Sequence, residues 1–263
     1  LNTEKTNIVI FRRPRQTIAE QVLNIKLNNQ NLNIVDSTKF LGVMLDGNLN
    51  WKIHLNKKAT QIARVNGVLC RLKHQLPNHI LKTIYNTLIL SHLTYRITSW
   101  GNVNSTELNK IRTLQKKSIR LITNSRYLSH TAPIFRKLNL LTLDDIFQQN
   151  CCKIFHKATK ATIPIYFQSR LLLNRDLHPH STRQRNYIHT QNATSNLSKQ
   201  SINFKISACW NMLPKELQDK TYLSTYSFSK KLKNDLPTSC QKMKIYDFIH
   251  LSSSFDNNKS ISS

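Results

Sequence analysis

The sequence predicts a mainly α-helical protein with a small β portion at its N-terminus. Three observations carry this. Only 4 Gly and 7 Pro occur in 263 residues, too few punctuating residues for a turn-rich β fold. From Trp51 onward the apolar residues recur at three- and four-residue steps, the period of a buried helical stripe. Before residue 50 they come in short runs bounded by Asn, Asp and Gly, as short strands do.

Taken in order, Asn7 to Phe11 reads as a short apolar strand. Ile18 to Leu27 and Asn31 to Val35 are mixed stretches with Asn-rich turns. Phe40, Leu41, Val43 and Leu45 then meet Asp46-Gly47, a dipeptide suited to a tight hairpin turn. This N-terminal piece holds too few apolar residues for a core of its own and is expected to need a neighbouring sheet. A helix follows from Trp51, with Leu55, Ala59, Ile62, Leu69, Leu72 and Leu76 inside, and Pro77 ends it. On another face Lys57, Arg64 and Arg71 lie seven apart, nearly in line over roughly 20 Å. Asn78 to Tyr95 is the next helix, apolar over so much of its circumference that it is expected to be central, and Trp100-Gly101 closes it.

A third helix from about Ser105 carries Leu108, Ile111, Leu114, Leu121 and Ile122, with Arg112, Lys116 and Arg120 as a second basic ridge. A fourth opens at Thr142-Leu143-Asp144-Asp145. Two adjacent carboxylates suggest a polymerase catalytic pair, but Thr142 and Asp145 have the spacing of a capping box and the residues after them have helical periodicity. Capping is therefore the expectation. Residues 174–199 are polar and read as a long loop. Phe204 to Leu213 is helical again, and Ser227 to Leu236 is a last helix with Phe228, Leu232 and Leu236 inward. The Ser/Asn-rich tail, 241–263, is expected to be poorly ordered.

Lys and Arg number 39 against 13 Asp and Glu, a formal charge of +26. Such an imbalance opposes compaction unless a polyanion neutralises it, so nucleic acid is the leading partner and an anionic membrane surface the runner-up. The basic helices lack the aromatic-rich apolar face of interfacial helices, and no run of 18 apolar residues occurs, so no membrane partner is expected. Nothing at the start has the form of a signal peptide. The five cysteines are odd in number and form no Cys-x-x-Cys pair, which supports neither a disulfide framework nor a zinc ribbon; Cys70 and Cys151 read as small core residues. His178 and His180 lack further metal ligands nearby.

Lys39 to Leu55, KFLGVMLDGNLNWKIHL, resembles the primer-grip hairpin and first thumb helix of the reverse transcriptases of non-LTR, LINE/jockey-like retrotransposons. Leu1 to Phe11, LNTEKTNIVIF, is similar to their last palm strand with its Asn-x-x-Lys-Thr pattern. Tyr85 to Gly101 resembles their tyrosine-bearing helix ending in Trp-Gly, and Leu114 to Thr123 their Leu-Gln-x-x-x-x-Arg helix. Arg96 departs from the pattern, since relatives usually have a small residue after the tyrosine.

The resemblance implies palm-edge strands and a primer-grip hairpin over 1–50, a helical thumb over 51–125 and a C-terminal helical region over 126–240. It implies RNA-directed DNA synthesis, an RNA template and DNA primer as partners together with the remainder of the palm, and an intracellular life in cytoplasm and nucleus. The Mg2+ of such polymerases sits on an Asp pair that is expected upstream of Leu1, so no cofactor is expected within this chain, which alone is expected to be inactive. Lys5 matches a palm-strand lysine near the nucleotide phosphates, as an auxiliary catalytic group. Leu41, Gly42 and Val43 match the primer grip, with Trp51 and His54 buttressing it or touching primer. Lys57, Arg64 and Arg71, extended by Arg112, Lys116 and Arg120, would line the groove for the template–primer duplex. The alternative is a non-enzymatic basic nucleic-acid-binding protein derived from such an element.

Overall fold

The computed structural model describes residues 6–12, 25–27, 29–180, 183–190 and 196–239. Lys5 and the tail expected at 241–263 lie outside the described residues. The N-terminal portion is β, but in fragments. β1 (Asn7–Ile8) pairs in parallel with β4 (Asn33–Ile34), and β2 (Lys26–Leu27) pairs antiparallel with β3 (Gln30–Asn31). The longest pair is a hairpin of β5 (Ser37–Phe40) and β6 (Val43–Asp46).

The hairpin corrects one expectation. Its turn is Leu41-Gly42, not Asp46-Gly47. Phe40 pairs with Val43, and both loop residues have positive φ, 45° and 80°, the two-residue geometry whose twist matches that of the flanking strands. Asp46 is occupied elsewhere. Its carboxylate accepts the backbone N–H of Asn50 and of Trp51, each at 3.1 Å, and so ties down the residues that lead into the next helix. Gly47 is needed for close approach: a Cβ there would sit 2.7 Å from the carbonyl oxygen of Ile10.

α1 (Lys52–Leu72) buries Leu55, Ile62 and Leu69, as its spacing predicts. Cys70 is exposed on this helix, contrary to the core reading; Cys151 is buried as expected. The chain returns through α2 (Asn78–Ile84), a π-helical segment (Tyr85–Leu90) and α3 (Ser91–Thr94), which run on as one rod burying Leu81, Tyr85, Ile89 and Leu93. Thr87 and Ser91 hydroxyls donate to carbonyls three and four residues back, meeting acceptors loosened by the wider turn. Tyr95 is extended and Arg96 left-handed at φ 52°, so the rod ends there rather than at Trp100-Gly101. A left-handed backbone is strained for arginine. α4 (Ile97–Trp100) follows. Gly101 then has no room for a Cβ, which would lie 2.6 Å from the Phe147 ring.

α5 (Ser105–Ile122) lies along α1. Lys110 reaches Asn56, and Asn66 is bonded to the Leu114 carbonyl and the Ser118 hydroxyl, so the two helices run in the same direction. α6 (Thr131–Lys137) leads to α7 (Leu143–Thr159), whose expected capping box is present: Thr142 Oγ1 accepts from the Asp145 N–H, and Asp145 accepts from the Thr142 N–H. α7, rather than the 78–94 rod, is the central helix. It buries residues around its whole circumference, from Leu143 and Phe147 to Cys152, Phe155 and His156, and packs on α3, α4, α5, α11 (Ile202–Asn211) and α13 (Thr225–Ser239). Phe228, Leu232 and Leu236 face inward on α13, as expected.

The span read as a long loop is partly structured. It holds α8 (Ile165–Gln168) at its approach, α9 (Asn174–Leu177) and α10 (Asn196–Lys199). Ile188 is buried, and its N–H and C=O are both held by the Asn211 side chain at 2.8 and 3.0 Å. A polar side chain on α11 thus does what apolar periodicity would otherwise have signalled. α12 (Lys215–Gln218) and a 3-10 turn (Asp219–Tyr222) lead into α13.

One side chain joins three of these elements. Gln115, buried on α5, donates to the Tyr85 hydroxyl at 2.9 Å and to the Leu141 carbonyl at 3.0 Å, and accepts from the Leu143 N–H at 2.9 Å. Burial pushes the Tyr85 phenol up to about 12. Replacing Gln115 by Leu orphans three buried partners, so the variant should lose roughly 3–5 kcal/mol in urea unfolding. A loss below about 1 kcal/mol would contradict this role.

Candidate nucleic-acid interface

The hairpin, the start of α1 and the end of α3 meet in a basic cleft of about 430 Å³. Lys39, Gly42, His54, Lys57, Lys58 and Tyr95 line it, with no carboxylate among its lining residues. The Tyr95 hydroxyl donates to the Leu41 carbonyl at 2.7 Å, and its ring lies 3.1–3.4 Å from where a Gly42 Cβ would be. The glycine is therefore required by its positive φ and by Tyr95, while Leu41 projects its side chain into solvent. Val43, on the opposite side of the turn, is buried.

His54 sits under the hairpin. Its Nδ1 accepts the Met44 N–H at 3.4 Å, and its ring meets Trp51 edge-on at 6.2 Å and Trp100 at 5.9 Å. Only 2% of it is exposed, so it buttresses the hairpin. Trp51, half-buried and left-handed at φ 63°, takes the chain into α1 and packs beside it. Burial, then Lys58 and Lys57, lower the His54 imidazole from 6.5 to about 4. Burial and Lys58 also lower His92. Lys58 itself is buried, 5.4 Å over the Tyr95 ring, and lowered by burial. Both imidazoles are thus biased towards neutrality beside concentrated positive charge.

Along α1, Lys57, Arg64 and Arg71 are all exposed. The α5 ridge is different. Arg112 is turned inward: its guanidinium makes a two-pronged ion pair with Asp144, closest at 2.7 Å, and also donates to Ser105 and Asn109. It clamps α5 to the first turn of α7, contrary to its reading as a phosphate ligand. Spacing alone could not reveal this, since Asp144 is 32 residues away. Arg120 donates to the Ser129 carbonyl at 3.0 Å and lies 6.0 Å over the Tyr127 ring. Lys116 and its neighbour Lys117 are exposed. Sequence reasoning missed Lys39, Lys58 and Tyr95, which the fold alone brings together.

Asp144 and Asp145 do not fit a metal pair. One carboxylate is held by Arg112, and the other is committed to the cap. Among the described residues no group of three His, Cys, Asp or Glu side chains is placed to hold a metal ion. Nor is any helix among them long and apolar enough to cross a membrane.

Over 180 residues, 66% of its length, the chain is 29% identical to the RNA-directed DNA polymerase from mobile element jockey of Drosophila funebris. The chain is similar to jockey-like RNA-directed DNA polymerases. It is 27% identical over 128 residues, 47% of its length, to the jockey polymerase of Drosophila melanogaster. It is 27% identical over 150 residues, 55% of its length, to the probable RNA-directed DNA polymerase from transposon X-element of the same fly. These matches cover 18%, 14% and 16% of those proteins, so the chain spans under a fifth of the length of these curated relatives. No family model matches, and no solved structure matches.

The His54 shift has a sign. An unfolded chain binds the imidazole proton near pH 6.5, the folded chain only near 4. The stabilising contribution is complete above pH 6.5 and is lost as pH falls through this window. His54→Asn keeps an acceptor for the Met44 N–H and removes the titration. Between about pH 7 and about pH 4.5 the wild type should lose about 2–3 kcal/mol more than this variant in urea unfolding. Equal losses would place the imidazole in water.

Proposed function

We propose that this chain is the substrate-holding part of a jockey-like reverse transcriptase, gripping the template–primer duplex for RNA-directed DNA synthesis. In this reading β5, β6 and the basic cleft hold the primer strand, α1 and α5 form the thumb, and the described acids leave catalysis and its Mg2+ to residues elsewhere in the enzyme. The observation that carries it is the junction of hairpin and α1: a cleft lined by three lysines continues into a helix whose exposed cations recur every seven residues. Backbone phosphates are the chemistry such a line of unneutralised charge recognises.

The N-terminal β portion supports the palm as a partner. Its strands are two to four residues long, and Phe11, Ile34 and Phe40 are each at least half exposed. Such an apolar rim fits a missing neighbouring sheet. Lys5, as the auxiliary group near nucleotide phosphates, belongs to that palm side of the proposal.

The test is binding of a primer–template duplex as a function of salt. Arg64→Gln and Lys116→Gln should each weaken binding to unrelated sequences alike and flatten the log–log salt slope by about 0.9. Arg112→Gln should leave the slope unchanged and instead lower stability by about 1–2 kcal/mol. Wild-type slopes in the first two variants would reduce those side chains to solvated charges.

A further inference from the structure

A second surface combines aromatic rings with lysines, at the turn into α13 rather than on α1. Tyr222 and Tyr226 flank the turn between the 3-10 segment and α13, and are 75% and 78% exposed. The turn is firmly seated. Phe228 is buried and stacks on His156 of α7 at 4.4 Å, Thr225 contacts the same imidazole at 3.5 Å, and Lys160 donates to the Leu223 carbonyl. Ser224 accepts the Ser227 N–H at 3.2 Å, capping the first turn of α13. With Phe228, Leu232 and Leu236 packed inward, Tyr226 and Lys230, one helical turn apart, share the outer face.

Charge accompanies the rings. Lys220 lies two residues before Tyr222, and Lys230 is exposed one helical turn beyond Tyr226. Lys220 holds Lys231 below the usual lysine range, while Asp235 and Tyr222 act on Lys231 in the opposite sense. Rigidly mounted, solvent-facing tyrosines with lysines beside them match unpaired nucleic acid: each ring offers a face to a base, and the lysines meet the adjoining phosphate. A duplex keeps its bases stacked on one another and offers the rings nothing comparable.

We propose that the Lys220–Tyr226 turn, with Lys231, is a stacking surface for single-stranded nucleic acid, holding an unpaired part of the template or product beyond the duplex. This rests on the nucleic-acid reading above and adds a second, structurally separate contact. The test measures binding of the purified chain to a fluorescent single strand of about 20 nucleotides and to a duplex of about 20 base pairs by anisotropy. The double variant Tyr222→Ala/Tyr226→Ala should weaken single-strand binding at least about tenfold, with duplex binding and the melting temperature unchanged. Tyr222→Phe/Tyr226→Phe keeps the ring faces and should bind as the wild type. Lys220→Gln/Lys231→Gln should lower the single-strand salt slope by about 0.7 per lost contact.

Wild-type single-strand affinity in the Ala double variant would overturn the proposal and leave the rings to a protein partner. If the wild type binds the duplex and Arg64→Gln weakens it, that failure is confined to this surface. If the wild type binds neither probe, the nucleic-acid reading itself fails.

Discussion

The buried amide of Gln115 is the interaction on which the helical arrangement depends. A primary amide in an apolar core is costly unless each of its groups finds a partner, and here three partners come from three directions. Tyr85 belongs to the π-helical segment, the Leu141 carbonyl to the approach to α7, and the Leu143 N–H to the first turn of α7. Moving any of these elements by one residue breaks at least one bond. Next to it, Asn66 and Ser118 join α1 to α5 in the same way. The relative register of α1, the π segment, α5 and α7 is therefore set by polar contacts inside an apolar core.

That registry organises the charge. A chain with 39 cations and 13 carboxylates must leave at least 26 cations without a carboxylate of their own. Those that could be neutralised internally serve joints: Arg112 on Asp144 ties α5 to α7, and Lys110 reaches Glu107 and Asn56 beside α1. Among the described residues most of the others stand on outer faces, where self-repulsion is screened by water and salt, while Lys58 and Lys205 are buried. A polyanion laid along α1 would relieve that repulsion while leaving the core unaltered, so binding and stability are coupled through charge rather than through a change of shape.

Helix positions were legible because the stripes at Leu55, Ile62 and Leu69, and at Phe228, Leu232 and Leu236, are periodic and buried as such. The capping box at Thr142 was legible because its chemistry is local. What escaped was every feature decided by a distant partner. Asp46-Gly47 reads as a hairpin turn, yet the turn lies at Leu41-Gly42 because Tyr95 receives it, and Asp46 is taken by the residues that lead into α1. Arg112 reads as part of a ridge until Asp144 claims it. The polar stretch around Ile188 looks structureless because Asn211, not an apolar stripe, holds it. Of the candidate site, the exposed line on α1 was visible in spacing, whereas the cleft beneath the hairpin was not. Two residues of the stretches that carry the resemblance, Gln115 and Gly101, turn out to be joints of the core.

The central claim is that the charge left over after the core is built is arranged to hold a duplex along α1 and α5. Lysine reactivity towards an amine-specific acylating reagent, read by mass spectrometry with and without a primer–template duplex, tests it most directly. Lys57 and Lys116 should lose reactivity on adding duplex, while Lys137 and Lys215, which are also exposed, keep theirs. Undiminished reactivity at Lys57 and Lys116, with protection at Lys137 or Lys215, would contradict the account.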